Sequence, residues 1–119
     1  MFVTSEGSPY SRFRRALTTG NLLLVRAAAA ELPRVDLPDA LRICLLIHHG
    51  DPDRYEQAAI RWLGRLCLEH PDVGFDELAQ GLAAFQALPL QPGPALEALK
   101  TLCQRAGLDT RELVREGTR

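Results

Sequence analysis

Apolar residues recur every three to four positions along most of the chain, and Gly, Pro, Ser, Asn and Asp interrupt them at short intervals. That pattern predicts a series of short helices. Ser8 before Pro9 is a cap followed by a first-turn proline, Tyr10, Phe13 and Leu17 follow at helical spacing, and Gly20 closes the segment. Asn21 caps a second helix over 22–32, ended by Pro33. Asp36 opens a third, with Asp39 completing an imperfect capping box, and it runs to His48 or His49 before Gly50. Asp51-Pro52-Asp53 starts a fourth over 52–70. A fifth begins near Phe75 and carries Leu78, Leu82 and Phe85. LPLQPGP, residues 88–94, reads as a loop, and a sixth helix spans about 94–106 before Gly107. Asp109 and Glu112 form a D-x-x-E box for a short last helix. Residues 1–7 lack periodicity and are expected to be a flexible N-terminus, leaving 8–119 as a single helical domain.

Linkers this short force consecutive helices into antiparallel hairpins. The expected fold class is all-α, either a compact bundle or a short α-α hairpin array of about six to seven helices. Two segments are apolar beyond one face. The third has a seam of Leu37, Leu41, Cys44, Leu45 and His48, with Ile43, Leu46 and Ile47 pointing elsewhere. The fourth has a seam of Tyr55, Ala59, Trp62, Leu63 and Leu66, with Ile60 and Leu68 off it. A helix apolar nearly all round is either central or faces a partner. Ile43, Leu46, Ile60 and Leu68 are therefore the candidate partner surface, for another protein or for a second copy in a homodimer.

Composition reinforces the helical reading. Leu (21) and Ala (15) outnumber Val, Ile and Thr together (14), a ratio that favours helix over sheet. At 13.2 kDa, area scaling buries about two-thirds of the extended chain's surface, enough for a core without disulfides or metal. A net charge of −1 gives no global attraction for nucleic acid or anionic membrane. The longest apolar runs, AAAA at 27–30 and CLLI at 44–47, fall far short of a membrane span. Three cysteines, and a start (MFVTSEGSPYSRFRR) without a basic stretch leading into an apolar one, predict a reducing, cytoplasmic setting.

Candidate chemistry is sparse. Cys44 and His48 are four apart, and Cys67 and His70 three apart, so facing pairs on a hairpin would supply two thiolates and two imidazoles for Zn²⁺. Antiparallel pairing works against this, because it separates Cys44 from Cys67 along the axis, and no C-x-x-C is present. Cys44 as a nucleophile beside His48 would need exposure and a positive field, and it sits mid-helix on the most apolar segment. With no nucleophile elbow, zincin, Walker or dinucleotide signature, no catalytic residue and no cofactor is expected. Arginine is more suggestive. Arg54, Arg61 and Arg65 share one stripe of the fourth helix, and Arg12, Arg14 and Arg15 cluster on the first. Side by side, the two would make a phosphate-sized basic patch, whereas a solvated flank is the plainer reading. Trp62, between Arg61 and Leu63, is expected in the core with its indole N–H on a carbonyl or water.

The stretch FRRALTTGNLLLVRAAAAELPRVDLPDALRICLL through DRYEQAAIRWLGRL resembles a group of small actinobacterial all-α proteins of uncharacterised activity, over roughly residues 13–90. The LPDAL helix start and the RYEQAAIRWLGRL helix carry that resemblance, which implies fold and source and brings no catalytic residues with it. The hairpin pattern alone gives a looser resemblance to α-α helical-repeat modules. The expected function is a non-enzymatic cytoplasmic helical module that binds protein, itself included. The alternative is an accessory nucleic-acid-associated protein using the two Arg clusters.

Overall fold

A computed structural model describes residues 8–113. Its elements in order are α1 (Pro9–Thr19), α2 (Leu22–Ala29), α3 (Leu37–Gly50), a 3₁₀ turn (Pro52–Arg54), α4 (Tyr55–Glu69), α5 (Phe75–Ala87) and α6 (Pro92–Arg105), with a further helical turn at 111–113. There is no strand among the described residues, and the fold is all-α.

Local signals explain most boundaries. Ser8 Oγ accepts from the Ser11 N–H at 3.0 Å, and Asn21 Oδ1 accepts from the Leu24 N–H at 3.2 Å, so two helix starts are capped by the expected side chains. Gly20 ends α1 at φ 71°, a left-handed conformation that costs a residue with a Cβ but not glycine. Three boundaries depart from the periodicity. The second helix stops at Ala29 rather than 32, because Glu31 and Leu32 tighten to bonds three residues back, onto Ala28 and Ala29, ahead of Pro33. The fourth begins as a separate 3₁₀ turn before the α-helix proper. The sixth starts at Pro92, inside the segment read as loop, because first-turn N–H groups need no intrahelical partner and prolines fit there. The expected box at Asp36 and Asp39 also does not form. Asp36 makes no side-chain cap bond, and Asp39 is buried instead, beneath Tyr10 and Arg14 of α1.

Consecutive helices pair as antiparallel hairpins. In α3–α4 the facing residues run Arg34 to Glu69, Leu37 to Trp62, Cys44 to Ala58 and His48 to Tyr55, one index rising as the other falls. In α5–α6 Glu77 meets Arg105, and the Leu102 side chain lies over Gly81. A Cβ on Gly81 would stand 2.7 Å from Leu102 Cδ2, so α6 approaches α5 closely there. Three hairpins stacked in sequence order give a body of 50 × 29 × 25 Å.

Two cores hold this stack together. The larger runs through α3–α6 around Leu41, Trp62, Leu66, Phe85, Leu99 and Cys103 and takes in Leu113. The smaller lies between α1 and α2 on Phe13, Ala16, Leu17 and Val25, with Ile43 and Leu46 of α3 packed against it. Helix α3 therefore borders both cores, and the α1–α2 hairpin explains its all-round apolar character. Trp62 is 2% exposed and its Nε1–H donates to the Leu37 carbonyl at 2.8 Å.

Candidate functional site

Two clefts concentrate the chemistry, and both involve α4. The first is a groove of about 320 Å³ between α4 and α5, lined by Tyr55, Glu56, Ala59, Ile60, Leu82, Phe85, Gln86 and the following Pro89. Spacing on the two helices produces it. Ala59 and Ile60 lie about one turn beyond Tyr55 on α4, and Phe85 and Gln86 about one turn beyond Leu82 on α5. Ala59 and Phe85 are buried at its base, whereas Ile60 and Leu82 stand at the surface, 55% and 43% exposed. The Tyr55 hydroxyl donates to the Phe85 carbonyl at 2.8 Å and ties the two walls together. Burial there pushes the Tyr55 phenol up to about 12, so it stays a neutral donor. Glu56 is the one charged side chain of the lining.

The second cleft, about 420 Å³, lies between α2 and the α3–α4 turn and is lined by Arg26, Ile47, Asp51, Arg54, Gln57, Ala58 and Arg61. Asp51 Oδ2 takes an ion pair from Arg26 at 3.2 Å and from Arg54 at 3.6 Å.

The six arginines read as a patch do not converge. Arg54 and Arg61 line this cleft, and the third guanidinium beside them is Arg26, which no helical spacing connects to them. Arg65 pairs with Glu69 at 2.9 Å, and Arg34 reaches the same carboxylate at 2.8 Å. The hydrogen bond from Arg65 holds the Glu69 carboxyl below its usual range. Arg12 pairs with Glu31 at 2.7 Å, and Arg15 donates to Ser11 Oγ at 3.4 Å. Arg14 is structural: it reaches Asp39 at 3.7 Å and Glu112 at 3.0 Å and donates to the Tyr10 hydroxyl at 3.1 Å. With Arg42, which approaches Glu112 at 3.8 Å, it fastens α1 and the 111–113 turn onto α3. Burial raises the Asp39 carboxyl, against the lowering pull of Arg14 and Arg42.

The Cys/His pairs stay apart. Cys44 Sγ faces the Ala58 carbonyl at 3.5 Å, nine residues from Cys67, which is about 13 Å along the helix at 1.5 Å per residue. No group of three or more His, Cys, Asp or Glu among the described residues is placed to hold a metal ion. Burial pushes the Cys44 thiol up to about 12, leaving it protonated and poorly nucleophilic. His48 stacks edge-on against Tyr55 and His49, its Nδ1 buried with no hydrogen-bond partner among the described residues. That burial, then the neighbouring His49, lowers its pKa. The partner surface also divides. Ile43 and Leu46 lie under the α1–α2 hairpin, whereas Ile60 is 55% and Leu68 84% exposed. Leu82, read from the sequence only in the apolar spacing of the fifth helix, and Arg26 were not marked as site residues, because each acquires its role only when a neighbouring helix packs against it.

Fold and clefts together define the class: an all-α stack of helical hairpins with an apolar groove and a basic cleft on neighbouring faces of its fourth helix. Comparison with known proteins finds no matching family model, no matching curated protein and no matching solved structure. No described helix is long and apolar enough to cross a membrane.

Proposed function

We propose that this chain is a non-enzymatic helical interaction module, acting in the cytoplasm, that binds a partner protein in the groove between α4 and α5. One observation carries the reading: Ile60 and Leu82, two large aliphatic side chains, stand exposed on opposite rims over a base of Ala59 and Phe85. Such a groove suits an apolar stripe from a partner helix, whose side chains would fill it at helical spacing. Glu56 at the rim favours a partner with a cation beside its apolar residues. Because the groove is already formed, binding would cost little reorganisation of this chain. The two-cluster nucleic-acid alternative has less support, since Arg12, Arg14, Arg15 and Arg65 are each engaged with their own neighbours.

Co-purification from native cells with and without nuclease tests this, repeated with the Ile60→Glu, Leu82→Glu double variant. The expected result is a protein partner retained after nuclease and lost with the double variant, whose helical circular dichroism matches the wild type. Loss on nuclease treatment, or retention by the double variant, would contradict the reading.

A further inference from the structure

The cleft between α2 and the α3–α4 turn carries three guanidinium groups and one carboxylate, on a chain whose overall charge is −1. Asp51 spans Arg26 and Arg54 with a single oxygen, at 3.2 and 3.6 Å, and so sets two arginines from separate helical elements on either side of itself. Arg61 is different. It lines the same cleft two turns along α4 from Arg54, it is exposed, and it has no ion pair or side-chain hydrogen bond among the described residues. Gln57 adds an amide on the same wall, and Ile47 and Ala58 supply apolar surface.

We infer that this cleft binds the phosphate group of a small phosphomonoester, with Arg61 as its principal ligand and Arg26 and Arg54, held by Asp51, as flanking donors. Charge selects the ligand. Three cations against one carboxylate leave two positive charges, which a phosphomonoester dianion neutralises and a diester monoanion does not. Guanidinium forks match phosphate oxygens in geometry and release bound water more readily than an ammonium. Size agrees: about 420 Å³ lies within the range of small-molecule sites and leaves room for a compact organic body against Ile47 and Ala58. The inference is independent of the α4–α5 groove, because the two linings share no residue.

Ribose 5-phosphate at pH 8, titrated into the full chain with amide and arginine side-chain NMR shifts as readout, tests it. Dimethyl phosphate serves as the monoanionic diester and a short single-stranded oligonucleotide as the polymeric diester. Ribose 5-phosphate should bind saturably, shifting residues of α2, the 3₁₀ turn and the first half of α4. Arg61→Gln should weaken it by about tenfold, as expected for losing one charge-assisted contact, and Arg54→Gln should weaken it in the same direction. Arg105→Gln, on α6, should leave binding unchanged. Dimethyl phosphate should bind at least about tenfold more weakly than ribose 5-phosphate. Four results would overturn the inference: no saturable shift, equal binding of mono- and diester, undiminished binding by a folded Arg61→Gln protein, or an oligonucleotide that shifts the same cleft residues and binds them more tightly than ribose 5-phosphate. The last would make the cleft a nucleic-acid contact instead.

Discussion

Trp62 is the side chain on which α3, α4 and α5 meet. It is 2% exposed, its indole stands edge-on to Phe85 at 5.8 Å, and its N–H is satisfied by Leu37. Trp62→Ala should cost about 3–5 kcal/mol in denaturant unfolding, from lost burial plus the cavity left behind. Leu68→Ala, at 84% exposure on the same helix, should change stability by less than about 0.5 kcal/mol. Equal losses at both positions would contradict the burial assigned to them. The thiols provide a second test at this scale. Burial raises Cys44 and Cys103 from an ordinary 9.0 to about 12, so above pH 9 the folded state keeps protons that the unfolded chain releases. Fewer protons on the unfolded chain mean that stability falls as pH rises through that window. Urea midpoints measured from pH 8 to 11 should decline, and less steeply in the Cys44→Ala, Cys103→Ala protein.

At the scale of elements, the α1–α2 hairpin differs from the rest. Its own core has four buried side chains, Phe13, Ala16, Leu17 and Val25, whereas the α3–α6 core has thirteen. Hydrogen exchange should therefore show α1 and α2 amides opening at lower free energy than those of α4 and α6, as a separate cooperative unit. Uniform protection across all six helices would contradict two cores of unequal strength. Much of this layer was legible in the sequence, because Ser8, Asn21 and Gly20 act within one turn of themselves. Asp39 was not. Its spacing from Asp36 suited a capping box, but Tyr10 and Arg14, more than twenty residues away, draw it inward, and local spacing carries no record of that. Pro92 misled for a related reason: the same prolines that break a helix interior are tolerated in its first turn.

For the whole molecule, the arrangement decides which apolar and basic positions remain outside. The excess apolar surface of α3 packs against α1–α2, so Ile43 and Leu46 are partly buried there, and of that set only the α4 members stand exposed. The sequence pointed to α4 as the functional helix through Ile60, Arg54 and Arg61, yet gave no access to Leu82 or Arg26, which complete the two clefts from other helices. Convergence of side chains from separate helices depends on packing, which the pattern along one helix does not encode. The α4–α5 groove is tested most directly by a photo-crosslinking amino acid placed at Ile60 and, as a control, at exposed Arg111 on the 111–113 turn, irradiated in native cells. The account predicts a discrete protein adduct from position 60, abolished by Leu82→Glu, and none from position 111. No adduct at position 60, or the same adducts from both positions, would contradict it.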